Sequence, residues 1–320
     1  MENILKTLNE AFSKSAGDEL KFFLARYPEC NSYIIASDYC LNDKERPNDI
    51  ISFVLLPEIR LFDEDRKEIK EALPKDLKHT KYISDKAKEL LASPNYHSFN
   101  FFIDKEKTLF DKKKFNQEAI FYAADKAIEM FDLWLQDDPD NERYKQFKKN
   151  YKLLKEAAKS KSFNYRLYFY SLLTSTIAAF LTHQISIHSK AKNVLWFSDR
   201  DSMMNSNNQI FFDNYDIQHN GLARNDSAHA FDESFRIGIA KPDPQGDVWY
   251  DEINRLPDYC AGAVSGLNFL EETNYSDKAN EVLQVMIENS TNLIMSRETI
   301  NGETITSIIT RKIVCEKIEE

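Results

Sequence analysis

Four cysteines, six histidines and seven glycines are few for 320 residues, and where they fall excludes several classes of protein. Cys30, Cys40, Cys260 and Cys315 lie far apart and form no C-x-x-C, so neither a disulfide framework nor a zinc ribbon is predicted. The histidines form no H-E-x-x-H or other paired-ligand spacing; His229, among Asp226, Asp232 and Glu233, reads as part of a solvated loop. Positive charge is also short. With 42 Lys and Arg against 52 Asp and Glu, the formal net charge is -10. That argues against global attraction to nucleic acid or an anionic membrane, while a local patch stays open. No apolar run reaches the ~20 residues that a membrane-spanning helix needs. The most apolar, LYFYSLLTSTIAAFL from Leu167 to Leu181, carries Ser and Thr and follows Arg166, which predicts a buried central helix. The start, MENILKTLNEAFSKSAGDEL, has acids throughout and an amphipathic pattern. It is a poor match to a signal peptide, so a cytoplasmic protein is expected, with no membrane partner. No internal repeat, low-complexity tract or clear linker is found.

What remains is ample for a core: 42% of residues are hydrophobic and 12% aromatic. The length suits one large domain or two ordinary ones. SYIIASDYC, Ser32 to Cys40, is apolar without alternation, which predicts a strand covered on both faces and ending at Asp38. IISFVLLP, Ile50 to Pro57, follows the polar turn LNDKERPND as a second, antiparallel strand. FDEDRKEIKEAL reads as a charged helix, SDKAKELLAS as a short one, and HSFNFFIDK, His97 to Lys105, as a third strand. From about 112 to 190 the pattern is helical. The second helix there is read to start with Asp138 as N-cap and Pro139 in its first turn. KNVLWFSDRDSM is a fourth strand running into aspartates, and FRIGIAKP a fifth. A helix over Ser276 to Met295 and a hairpin at ETINGETI close the chain. The order strand-strand-strand, helices, strand, strand, helices predicts an α/β layered fold with a mixed sheet. The expected division is a domain over 1–275, holding the helical insertion, and a C-terminal helix and hairpin over 276–320.

The stretch LPDYCAGAVSGLNFLEE, Leu256 to Glu272, places two glycines inside a helical pattern, each at a cost of about 1 kcal/mol relative to alanine. Leu256, Tyr259, Cys260, Ala263, Val264 and Leu267 recur at helical spacing. Pro257 and Asp258 then fall in the first turn, near the positive end of the helix dipole. Asp258, Gly262 and Gly266 share one stripe. Alone, this is a packing groove with an acid at one end.

Other carboxylates change its meaning. Asp38 ends strand one, Asp199 and Asp201 end strand four, and Asp258 begins the late helix. Asp199 and Asp201 are two apart, so on extended chain they point to one face. Gathered carboxylates repel unless a cation neutralises them, and hard oxygen ligands suit Mg2+ or Mn2+. Two such ions ~4 Å apart can activate a water and stabilise a leaving oxygen in phosphodiester hydrolysis.

At this point the chain resembles the ribonuclease H-like fold, and within it a branch of uncharacterised bacterial and phage nucleases. The likeness is carried by IIASDYC, with its aspartate after a first apolar strand, and by KDLKHTK, an acid-Leu-Lys motif with Asp76 where glutamate is usual. VLWFSDRDS supplies a strand ending in aspartate, and PDYCAGAVSG a helix opening with an acid. The order covers about Ser32 to Leu270. The resemblance implies a mixed five-stranded sheet with flanking helices and a helical insertion before strand four. It implies metal-dependent phosphodiester cleavage, with Asp38, Asp258 and Asp199 or Asp201 as metal ligands and Asp76 as a fourth acid. Lys78 would contact a phosphate or hold a carboxylate. The acidic residue usual after the first aspartate is Tyr39 here.

Phosphates need a surface, and RYKQFKKNYKLLKEAAKSK, Arg143 to Lys161, is the most basic stretch. Tyr144, Phe147, Tyr151 and Leu154 share one helical face; Lys145, Lys148, Lys149, Lys152, Lys155 and Lys159 fall largely on the other. The polar face reads either as an ordinary solvated surface or as a nucleic-acid-tracking one through Lys145, Lys149 and Lys152. Two alternatives to a nuclease stand: a non-catalytic nucleic-acid- or protein-binding regulatory module, and a hydrolase of a small phosphorylated molecule.

Overall fold

The structure, a computed structural model, describes residues 2–14, 16–104, 115–229, 232–243, 248–267, 276–288, 293–301 and 304–311. In chain order its helices are α1 (Glu2–Ser13), α2 (Ala16–Ala25), α3 (Phe62–Ala72), α4 (Asp85–Leu91), α5 (Gln117–Asp137), α6 (Glu142–Ala158), α7 (Tyr165–His188), α8 (Ser202–Asn205), α9 (Ile210–Asn225), α10 (Asp251–Ser265) and α11 (Asp277–Glu288). Its strands are β1 (Ser32–Cys40), β2 (Asn48–Pro57), β3 (His97–Asp104), β4 (Asn193–Ser198), β5 (Arg236–Ala240), β6 (Leu293–Asn301) and β7 (Thr304–Arg311). The chain divides into two compact units. The first is Met1–Leu109, Leu181–Asp199 and Asp226–Glu320; the second is Phe110–Phe180 with Arg200–Asn225. The helical part thus draws in α8 and α9, and residues 276–320 fall within the first unit.

The first unit is an α/β fold on a mixed, open sheet. Five central strands run in the order β5-β4-β1-β2-β3, and the β6-β7 hairpin continues the sheet beyond β3. β1, β2 and β3 are antiparallel neighbours, whereas β1, β4 and β5 are parallel. β6 joins β3 in parallel, Ser98 opposite Leu293. Residues 293–295, expected at the end of a helix, therefore belong to a strand.

The unbroken apolar runs of β1 and β2 are explained by cover on both faces. Ile34, Ala36, Ile50, Val54, Leu56 and Phe102 pack with residues of α3, α4, α10 and α11 on one side. Ile35, Phe53, Leu55 and Phe99 meet Leu20 of α2 and Leu181 and Ile185 of α7 on the other. Each large aliphatic or aromatic side chain buried there contributes roughly 1.5–3 kcal/mol. The two-residue alternation of β1 puts Asp38 on the α10 side, after Ile34 and Ala36. The strand runs two residues past Asp38, which pairs with Ser52, so the aspartate sits within the strand and not at its end.

In the second unit Phe131, Phe147, Tyr151 and Leu154 form the seam of α5 and α6. α6 starts later than its sequence suggested. Asn141 is the N-cap, its side chain accepting from the Tyr144 N–H, while Asp138 terminates α5. The segment Asp138-Pro139-Asp140 is a tight turn, closed by the Asn141 N–H on the Asp138 carbonyl (3.2 Å). Among the described residues no helix is long and apolar enough to cross a membrane.

Candidate functional site

α10 carries the largest departure from the sequence reading. It begins at Asp251, where the N–H groups of Ile253 and Asn254 return to the Tyr250 carbonyl. Pro257 is therefore inside the helix and Asp258 two turns from its start, so the first-turn dipole argument does not apply to Asp258. Its carboxylate instead accepts the Leu77 N–H at 2.7 Å. Leu77 opens a short 3-10 turn, Leu77–His79, that crosses in front of α10. That crossing explains one glycine. A Cβ on Gly262 would stand 2.7 Å from Leu77 Cδ2. The packing groove at Gly262 is thus filled by Leu77. Gly266 is the C-cap, outside the helix proper.

The turn is held from several sides. Tyr259 Oη donates to the Lys75 carbonyl (3.1 Å) and meets Thr80 Oγ1 (2.9 Å). Lys278 Nζ on α11 donates to the carbonyls of Leu77 (2.7 Å), Lys78 (3.2 Å) and Thr80 (2.7 Å). Replacing Gly262 with alanine should gain ~1 kcal/mol of helix propensity yet lower the melting midpoint, because overpacking a filled position costs ~1–3 kcal/mol. An unchanged or higher midpoint would remove this account of the glycine.

Asp38, Asp76, Leu77, Lys78, Asp199, Asp251, Asn254, Arg255, Asp258 and Gly262 all line one cleft, with about 300 Å³ of space for water-sized occupants; Tyr39, Cys40, Asp43 and Arg46 line it too. Asp38 comes from β1. Asp199 directly follows β4, its N–H bonded to the Ser37 carbonyl (2.9 Å). With its carboxamide turned to satisfy both groups, Asn254 of α10 accepts from the Asp199 N–H (3.0 Å) and donates to the Phe197 carbonyl (3.3 Å). Asp76 stands at the start of the 3-10 turn, 3.9 Å from Lys78 Nζ. Four of the sequence-predicted acids and Lys78 thus meet.

Asp201 does not join them. It caps α8, accepting the Met203 N–H at 2.8 Å. Its carboxylate is taken up by the start of that helix, and it is not among the residues that line the cleft. The lysine face of α6 is largely committed as well. Lys148 pairs with Asp132 and Lys155 with Asp125, both of α5. Lys145 pairs with Glu142 (2.8 Å) and Lys159 with Glu156 (2.7 Å). Lys149 and Lys152 make no ion pair among the described residues.

Several cleft residues carried no recognisable signal. Arg46, in the polar β1-β2 turn, donates to the Gly262 carbonyl (2.8 Å) and Ser265 Oγ (2.6 Å), tying that turn to α10. Arg255 reaches the Leu73 carbonyl (2.8 Å) and Asp251 (3.0 Å). Tyr39, which stands where an acid was expected, is engaged below the sheet: its hydroxyl meets Ser37 Oγ (2.7 Å) and Ser198 Oγ (2.6 Å). His229 is in its turn as expected, where it and His183 both bond Asp226 Oδ2 (2.9 and 3.0 Å).

The electrostatics of the acids are those of crowded carboxyl groups. Burial, then the charges of Asp258 and Asp199, hold Asp38 well above the ordinary carboxylate value of 3.8, against the pull of the Tyr39 N–H. Burial raises Asp258 too, opposed by the Leu77 N–H and supported by the Asp76 charge. Each of the two carboxyls thus lies in the field of at least one other acid of the cleft. No group of three or more His, Cys, Asp or Glu side chains among the described residues stands ready to hold a metal ion. The arrangement is one of repelling carboxyls gathered by the fold at one cleft. Comparison with protein-family models, curated proteins and solved structures returns no match for this chain.

A pH dependence follows. Between 3.8 and the raised value of Asp38, the folded chain holds a proton that the unfolded chain has released. Stability therefore falls as pH rises through that window and is regained as pH drops below it. In metal-free buffer, Asp38→Asn should melt above wild type at pH 8, and the gap should narrow towards pH 5. A gap that does not change with pH would show that Asp38 is not held protonated.

Proposed function

We propose that this chain is a metal-dependent nuclease on a ribonuclease H-like fold, with Asp38, Asp199 and Asp258 as the residues that would hold Mg2+ or Mn2+. The observation that carries the reading is that Asp38, Asp199 and Asp258, from β1, the end of β4 and α10, line one cleft with Asp76 and Lys78. Three antiparallel strands followed by parallel fourth and fifth strands agree with the expected order.

In chemistry the donors suit a hard divalent cation, being all oxygens, acidic, partly buried and mutually repelling, and a bound ion would draw them closer than they stand. When bound, such a cation would supply charge neutralisation, a water of lowered pKa and stabilisation of the leaving oxygen. The chain's own residues do the rest. β1 and β4 run parallel with Ser37 opposite Ser198, which sets Asp38, within β1, beside Asp199, directly after β4. The Leu77 N–H orients Asp258, and Asn254 fixes the backbone at Asp199. Asp76 and Lys78, at the rim, offer a carboxylate and an ammonium to a water and a phosphate. Asp38, whose carboxyl pKa is held above its ordinary value by burial and the neighbouring acids, would bind a cation in its ionised form.

The test is cleavage of mixed DNA and RNA substrates in Mg2+ or Mn2+, with melting shifts on adding metal, for wild type beside Asp38→Asn and Asp258→Asn. Wild type that neither cleaves nor shifts would favour the binding-module reading, to which Tyr39 in place of an acid gives some support.

A further inference from the structure

Trp249 is 54% exposed, in the turn that leads into α10, two residues before the cleft-lining Asp251. Large exposed aromatics are often loose, but this one is held. Its ring lies 5.3 Å from Phe62, 5.2 Å from Phe197 and 5.2 Å from Tyr250, at interplanar angles of 61°, 70° and 89°. None of the three lies flat on the indole. Tyr250 is itself fixed, its hydroxyl donating towards the carbonyls of Ser198 (3.0 Å) and Ala240 (2.9 Å). Phe197 is the residue whose carbonyl Asn254 binds, two positions before Asp199. The indole is thus clamped two residues before the cleft-lining Asp251 and against Phe197, two positions before Asp199, with its orientation set and more than half its surface in water.

A fixed, exposed aromatic face beside a phosphate-processing cleft suits one occupant: an unpaired nucleobase. Stacking there costs little ordering, since three aromatic contacts have already removed the side chain's freedom. It also offers attachment that does not depend on net positive charge, which this chain, at a formal -10, lacks. We propose that Trp249 is the stacking platform for an unpaired base of a single-stranded nucleic acid whose phosphate enters the cleft. The inference rests on the nuclease reading for the position of the phosphate, while the stacking itself is separately testable.

The experiment measures anisotropy of fluorescein-labelled 12-mer oligodeoxythymidylate with the full chain in Ca2+. The comparison set is wild type, Trp249→Phe and Trp249→Ala, with melting curves for each. A second series uses the same oligomer with abasic sites along its length. Wild type should bind the intact strand about 5- to 150-fold more tightly than Trp249→Ala, the span equivalent to ~1–3 kcal/mol for one stacked base. Trp249→Phe should retain most of that difference. The abasic strand should lose affinity for wild type but not for Trp249→Ala, and a duplex of equal length should compete poorly. Equal binding by wild type and Trp249→Ala, or equal binding of intact and abasic strands by wild type, overturns the proposal. So does preferential binding of duplex. Trp249-dependent binding without cleavage in Mg2+ or Mn2+ would support the platform and count against the nuclease. Cleavage without Trp249 dependence would do the reverse.

Discussion

Asp38→Asn should reduce Mg2+- or Mn2+-dependent cleavage by about a thousandfold or more, and Asp258→Asn should do the same. The magnitude follows from the several kcal/mol of charge stabilisation a bound cation supplies, at ~1.4 kcal/mol per tenfold in rate. Asparagine keeps the shape and one oxygen of aspartate but not its charge. It also ends the repulsion that raises Asp38, since burial and the charges of Asp258 and Asp199 act on the ionised form only. The metal-free variants should therefore melt no lower than wild type, and higher at alkaline pH. An aspartate kept for structure would lose stability on the same change. Cleavage assays and calorimetry on one set of proteins separate the two. Variants that cleave normally would end the metal-ligand assignment, whatever their stability.

Leu77→Ala should destabilise the fold by about 2–5 kcal/mol, the range for truncating a buried leucine whose surroundings cannot fully collapse. Leu77 is 1% exposed and its side chain fills the space that Gly262 leaves on α10. Its backbone N–H orients Asp258, so the loss should also reach the cleft. Leu77→Met, close in volume, should cost less than about 1.5 kcal/mol. Urea unfolding of the three proteins would measure it. If Leu77→Ala unfolds at the wild-type midpoint, the plug-and-socket account of Leu77 and Gly262 is wrong.

Much of the sheet was legible because burial on both faces removes alternation. β1 and β2 read as strands from unbroken apolar runs, and their antiparallel pairing followed from the short polar turn between them. The parallel pairing of β6 to β3 was not legible, because a hairpin signal does not say which edge it joins. The start of α10 was missed for a clear reason. Proline is common in first turns, so Pro257 drew the boundary six residues too late, whereas the backbone turn at Tyr250 sets it. Asp201 was misplaced because period-two reasoning was carried past the last strand residue, Ser198, into a helix cap. Asp38, Asp76, Asp199 and Asp258 were found because each stands beside a strong element signal. Arg46, Asn254 and Lys278 were not, since each acts on backbone atoms from distant parts of the chain, which leaves no pattern in sequence. The α6 lysines show the limit of charge counting: two of them, Lys148 and Lys155, pair with Asp132 and Asp125 on the preceding helix.

The parallel pairing of β1 with β4 also has a consequence in time. Ile34 lies opposite Leu195, across some 160 residues of intervening chain. β1, β2 and β3 can meet early, as neighbours along the sequence. β4 must wait for the whole helical segment before it, and Asp258 for still more. Closing such long loops is slow and gains nothing until the far strand docks. During that interval the inner edge of β1 and the outer edge of β3 both present unpaired backbone. A growing chain is thus at its most adhesive before the carboxylates have met, and the cleft is among the last features to be assembled.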